Sequence, residues 1–261
     1  FLDVSTVNTF ASFVSGYQNL DVGNVTTYSV ATSLTAGTTY YYRVRAFSGG
    51  TSSNSNTITL LTVPANPVAA AASSITQTSF TANWGASASA DKYYIDVASD
   101  AAFTTMVDGW TNVDVGNVLT YSINTNIAAG TPYYYRIRAN NSGGTSGNSN
   151  TITVITVSPA PVAIAASSIG TTSFDANWNA APQATKYFLD VSTSNTFSPL
   201  VTGWSNVDVG NVTTYTVNTN LTAGTSYYYR VRASNANGTS GNSNSISLIT
   251  VPPAPVELAA T

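Results

Sequence analysis

Thr38–Ala46 reads TTYYYRVRA, and everything else about the chain follows from what that run means. Neighbouring side chains in a strand point to opposite faces, so three consecutive tyrosines place large rings on both sides of one strand. The phrase returns as TPYYYRIRA at Thr131–Ala139 and as TSYYYRVRA at Thr225–Ala233. A threefold return makes internal periodicity the first thing to establish.

The period is constant. DVGN begins at Asp21, Asp114 and Asp208, and the tyrosine run at Tyr40, Tyr133 and Tyr227, in both cases with steps of 93 and 94 residues. Pro-Val recurs at Pro67, Pro161 and Pro255, with steps of 94. The one-residue difference falls in a Gly-rich loop, where FSGGTS (Phe47–Ser52) is shorter than NNSGGTS (Asn140–Ser146). Surface connections tolerate such length changes. A unit this long exceeds a solenoid repeat and suits a small sandwich domain of about 100 residues. The boundaries read from the repeat are a partial unit at 1–63 lacking its first two strands, complete units at 64–157 and 158–251, and the start of a fourth at 252–261.

Within 64–157, alternation marks the strands. Ala69–Ser73 follows a proline as an edge strand. Ser79–Trp84 places Phe80, Ala82 and Trp84 on one face. Lys92–Ala98 turns Tyr93, Ile95 and Val97 inward and Lys92, Tyr94 and Asp96 outward. Met106–Val115 reads as a further strand ended by Gly116-Asn117, followed by Leu119–Asn124, the tyrosine phrase and Thr151–Val157. Seven strands without a helical period indicate an all-β sandwich.

The run LTAGTTYYYRVRA (Leu34–Ala46), its copies from Ile127 and Leu221, the second-strand tryptophans Trp84 and Trp178 and the X-Pro entry together resemble the fibronectin type III domain. The resemblance covers the whole chain. It implies tandem seven-stranded immunoglobulin-like sandwiches set end to end. It also implies that the first tyrosine of each run, Tyr40, Tyr133 and Tyr227, forms a tyrosine corner by bonding back to nearby backbone. Tyr42, Val44 and Ala46, with their copies, then face in, and Tyr41, Arg43 and Arg45 face out. The phrases FLDVSTSNTFS and NVDVGNVTTY resemble repeats of large secreted bacterial surface proteins. The loop before the last strand carries no Arg-Gly-Asp, so integrin-type adhesion is not implied.

Composition narrows the chemistry. Charged residues make up 7% of the 261, against about a quarter in an average protein. The net charge of −3 leaves no basic footprint for nucleic acid. No apolar stretch approaches the roughly 20 residues of a membrane span. Ser and Thr number 73, whereas Cys and His are absent. Ser-His-Asp, Cys-His and zinc sites are therefore excluded, and no metal, cofactor or catalytic residue is predicted. A glycosidase pair needs two carboxylates across a cleft, and Asp96 with Asp114 is the pair to test, though a sandwich face offers no evident cleft.

Three features remain as candidates. The first is an outward ladder: Tyr134, Arg136 and Arg138 beside Tyr94 and Asp96, with equivalents Tyr228, Arg230 and Arg232 beside Phe188 and Asp190, and Tyr41, Arg43 and Arg45 beside Phe1 and Asp3. It holds six of the eight basic residues. One reading is a solvated cross-strand ion pair worth less than about 1 kcal/mol. The other is an interaction face rich in aromatics and Arg. The second feature is the aromatic after a glycine, Tyr17, Trp110 and Trp204, which would stack on a sugar if exposed or cover the edge of its own core if not. The third is NVDVGN, whose oxygens are too few for Ca²⁺ and are explained by a tight turn. Five glycosylation sequons match the roughly seven expected by chance and carry no information.

The function this predicts is a structural or adhesive segment of an extended extracellular bacterial fibre, through self-association or continuation in a longer repeat chain. Polysaccharide or other surface proteins are the further partners considered. The half unit at 1–63 implies a window of a longer polymer or completion by another chain. The alternatives are passive spacer domains in a secreted polysaccharide-degrading enzyme, or a carbohydrate-binding module.

Overall fold

The computed structural model describes residues 1–255; the expected start of a fourth unit lies, from 256 onward, outside the described residues. Those residues are all β and contain no helix, so none is long and apolar enough to cross a membrane. The first repeat contributes β1 (Leu2–Ser5), β2 (Thr39–Val44) and β3 (Ile58–Leu61). The second contributes β4 (Ala69–Ser73), β5 (Phe80–Trp84), β6 (Lys92–Ala98), β7 (Val113–Gly116), β8 (Thr120–Ile123), β9 (Pro132–Asn141), β10 (Gly144–Thr145) and β11 (Ile152–Ile155). The third contributes β12 (Ala163–Ser167), β13 (Phe174–Trp178), β14 (Lys186–Ser192), β15 (Val207–Gly210), β16 (Thr214–Val217), β17 (Ser226–Asn235), β18 (Gly238–Thr239) and β19 (Ile246–Ile249).

Backbone contacts group the chain into two compact units. One holds Phe1–Ala71, Ala82–Tyr121 and Tyr134–Thr153; the other holds Ala72–Thr81, Ser122–Tyr133 and the chain from Val154 onward.

The second unit contains the whole third repeat, which shows why the alternating sequence folds as it does. One sheet runs β12-β13-β16; the other runs β15-β14-β17-β18, with β19 also on β17. Both faces that meet are apolar at every second residue. Phe174, Ala176, Trp178 and Val217 from the first sheet share one core with Tyr187, Leu189, Val191, Tyr227, Tyr229, Val231 and Leu248 from the second. Removing each large side chain from water contributes about 1.5–3 kcal/mol, which makes this core the main stabilising term.

In the first unit, β1-β2-β3 forms an antiparallel sheet with Asp3 opposite Arg43 and Val4 opposite Tyr42. Its core is Leu2, Val4, Val14, Tyr17 and Tyr40. On the inner side of this sheet Val4, Val25, Tyr28, Tyr40 and Tyr42 line part of a cavity of about 1100 Å³. The first and third tyrosines of the run therefore lie on the inner face, as alternation requires.

One expected strand is much shorter than its sequence suggests. Met106–Val115 is strand only over Val113–Gly116, with an isolated bridge between Ala98 and Met106. The backbone turns instead: Trp110 N–H bonds to the Val107 carbonyl and Gly109 takes φ of 80°, a conformation glycine adopts without strain. The tyrosine strand is longer than its phrase, reaching Asn141 and Asn235 and ending in a hairpin with β10 or β18.

Candidate interaction face

The ladder forms because β14 and β17 pair in antiparallel register, with Asp190 opposite Arg230, Phe188 opposite Arg232 and Ser192 opposite Tyr228. The second repeat repeats it on β6 and β9, with Asp96 opposite Arg136, Tyr94 opposite Arg138 and Ala98 opposite Tyr134. In the first repeat Asp3, Arg43, Tyr41 and Arg45 take the same places.

The geometry departs from a solvated pair. Arg230 Nε donates to Asp190 Oδ2 at 3.0 Å, and Arg232 Nη2 donates to both carboxylate oxygens, at 3.2 and 3.3 Å. The same Nη2 reaches Asn206 Oδ1 at 2.8 Å, and the Asn206 N–H donates to Asp190 Oδ1 at 2.7 Å. Above this network the Phe197 ring lies 4.2 Å from the Arg230 guanidinium carbon. Phe103 over Arg136 (4.1 Å) and Phe10 over Arg43 (4.0 Å) repeat the lid. Asp3, Asp96 and Asp190 are each only 2–3% exposed. The expectation that Asp96 faces solvent is thus corrected. It leaves the sheet on the outer face, but the loop bearing Asn112 and Phe103, together with Arg138, closes over it. Tyr41, Tyr94, Tyr134, Tyr228 and the six arginines stay as a half-buried rim.

For Asp3, burial raises the carboxyl pKa, but the Asn19 N–H and then Arg43 and Arg45 outweigh it and hold the group below its ordinary value. Lys92 and Lys186 pair with Asp114 (2.7 Å) and Asp208 (2.9 Å), and these lysines are the first cause holding both carboxyls below the usual range. The same Asp114 and Asp208 accept the N–H of Gly116 and Gly210, closing the turn of NVDVGN. Among the described residues no group of three or more acids forms a metal-holding cluster. Asp96 and Asp114, the carboxylate pair singled out for testing, are each bound to a cation of their own.

The aromatics nominated as exposed sugar platforms are buried. Tyr17, Trp110 and Trp204 are each 6% exposed. The tight turn before them rolls the ring back over its own core, where Trp204 Nε1 donates to the Thr219 carbonyl and the Tyr17 hydroxyl pairs with Thr32 Oγ1. Trp84 and Trp178 lie in the core, 5.8 and 5.7 Å from the rings of Tyr93 and Tyr187. The hydroxyls of Tyr40, Tyr133 and Tyr227 accept the N–H of the residue five positions upstream, Thr35, Ala128 and Thr222, at 2.7–2.8 Å.

Two sets of residues escaped the sequence reading. The third tyrosine of the run carries a second pin: Tyr229 donates to the Ile164 carbonyl and accepts the Asn177 N–H, tying both sheets together, and Tyr135 does the same with Ala70 and Asn83. The SGNSN stretches replace a strand with side chains. Ser240 and Ser243 accept the N–H groups of Ala233 and Val231, while Asn244 takes both the N–H and the carbonyl of Ala163. The recurrence of SGNSN after the tyrosine strand was the signal available for this.

Residues 159–249 match the family model of the fibronectin type III domain. Exoglucanase B of Cellulomonas fimi is 34% identical over 276 residues, covering 95% of this chain. The chain spans about a quarter, 24%, of that relative's length. Among solved structures, the FN1–FN3 domains of chicken CNTN1 align at 20% identity and a TM-score of 0.35, covering 84% of this chain and 80% of theirs. A two-domain fibronectin type III segment of chicken tenascin aligns at 18% identity and a TM-score of 0.39, covering 72% and 99%.

Proposed function

We propose, for a chain that belongs to the fibronectin type III family, that it serves as a non-catalytic spacer in a secreted, extracellular bacterial enzyme acting on polysaccharide. The observation that carries this reading is the likeness along 95% of the chain to part of an exoglucanase. The structure's chemistry is consistent with it. The acids of the ladder are neutralised within each repeat, and the aromatics placed to stack on sugar fill cores instead. What is left is a set of folded bodies that add separation between other parts of a protein. The fibre expected from the repeat pattern has no comparable support, and the carbohydrate-binding module loses its platform.

The test is direct. The purified chain should release no soluble sugar from cellulose and should not sediment with it. In the parent protein, deleting these repeats should lower hydrolysis of insoluble cellulose while leaving turnover of a soluble oligosaccharide unchanged. Equal activity on insoluble cellulose with and without the repeats would sink the spacer role. Sedimentation of the chain with cellulose would restore the binding module, and micrometre filaments of the purified chain would restore the fibre.

A further inference from the structure

The hairpin that follows the tyrosine strand in the second and third repeats reaches the repeat before it. Asn141 Nδ2 donates to the Thr62 carbonyl at 3.0 Å, and Asn235 Nδ2 donates to the Thr156 carbonyl at 2.9 Å. In both hairpins the asparagine's own Oδ1 accepts an N–H two residues on, at Gly143 and Asn237, which aims the amide outward. The approach is close. A Cβ added at Gly143 would lie 2.0 Å from the Leu61 carbonyl oxygen, so only glycine fits there. The equivalent position in the third repeat, Asn237, instead donates Nδ2 to the Ile155 carbonyl at 2.7 Å.

The receiving surface is the end of each repeat's last strand: Leu61–Val63, Ile155–Val157 and Ile249–Val251. It is built the same way three times. The threonine hydroxyl of Thr62, Thr156 and Thr250 donates to the carbonyl of Thr35, Ala128 and Thr222, at 2.7–2.8 Å. It also accepts the N–H of Thr38, Thr131 and Thr225. In the first two copies the surface is occupied by a hairpin. In the third, Ile249 is 63% exposed, whereas Leu61 and Ile155 are half-buried.

We propose that Ile249–Val251 is a docking surface for a further type III repeat bearing an asparagine at the position of Asn235. The occupant is not a second copy's first repeat. That hairpin, Phe47-Ser48-Gly49-Gly50, is one residue shorter and holds no asparagine, so it has no side-chain amide to donate. Docking is therefore directional: the second and third repeats supply the clamp, the first and second receive it, and the third presents a prepared acceptor. The inference stands whether the parent protein is an enzyme or a fibre.

The experiment extends the chain after Val251 with an unlabelled copy of residues 158–251, the preceding part being isotopically labelled, and follows amide exchange by NMR. Exchange at Thr250 and Val251 should slow about fivefold relative to the 261-residue chain, the value of one hydrogen bond. Asn→Asp at the appended copy's clamp position keeps the turn acceptor, removes the donor and should restore the faster exchange. In the unextended chain, Asn141→Asp and Asn235→Asp should speed exchange about fivefold around Thr62 and Thr156. Should an Asp variant lose its native spectrum, Asn→Ser at the same position takes its place. Unchanged exchange at Thr250 and Val251 on extension, or slowing that survives loss of the donor, would overturn the proposal.

Discussion

Asp190 and Arg230 sit directly opposite one another on β14 and β17, joined at 3.0 Å, and the carboxylate between them is almost wholly removed from water. Burying a charge is costly unless every lone pair finds a donor. Here Arg230, Arg232 and the Asn206 N–H supply them. The cluster thus binds strand to strand and holds the 206 loop and the Phe197 lid in place.

Removing that carboxylate should be expensive, because two guanidinium groups would be left facing each other. Asp190→Ala is expected to destabilise the third repeat by about 3–5 kcal/mol. Native-state hydrogen exchange at Leu189 and Val231, inside the third repeat, checks the value. A loss under about 1 kcal/mol would return the pair to the class of exposed ion pairs.

The third tyrosine's hydroxyl is a separate test. Tyr229→Phe leaves the Ile164 carbonyl and the Asn177 N–H without their shared partner and should cost about 1–3 kcal/mol. A loss under about 0.5 kcal/mol, read by the same exchange method, would refute the pin.

Ser243→Ala should likewise expose a missing strand. The Val231 N–H would lose its acceptor at the centre of β17, at a cost of about 1–3 kcal/mol. Its own amide exchange rate reports the effect locally.

Stability should fall in acid, and the sign follows from the carboxyls. Asp3, Asp114 and Asp208 are held below the unfolded value of about 3.9. Each therefore contributes stability that is present above about pH 4 and is lost as pH drops through its folded value. Burial raises the Tyr135 and Tyr229 phenols, so the folded form keeps protons that the unfolded chain releases near pH 10. That contribution is full below about pH 10 and is lost above it. Calorimetry from pH 2 to 12 should show a plateau flanked by both declines; a melting temperature unchanged between pH 5 and pH 2 contradicts the acid limb.

Trp204→Ala separates core from ligand. It should cost about 3–5 kcal/mol as a large buried ring is lost, with cellulose sedimentation unchanged from the parent chain. Weaker cellulose binding without loss of stability would return Trp204 to a sugar-stacking role.

The parts legible in the sequence share a local cause. Alternation along SFDANW and KYFLDVS states which side chains face inward, since a strand offers only two faces. The steps of 93 and 94 residues likewise exposed the repeat without reference to any contact. The expectation failed over Met106–Asn112, where alternating residues sit in a turn held by Gly109 and a buried Trp110.

What the amino-acid order determined by itself, then, is the repeat, the pleat and the two-sided character of the tyrosine strand, all set by neighbours within a few residues. Tertiary structure alone decided that Asp190 is sealed, that Trp204 turns inward and that Asn235 reaches Thr156. Each of those outcomes depends on a loop or repeat distant in the chain arriving to exclude water or accept a hydrogen bond, and no local pattern encodes that arrival.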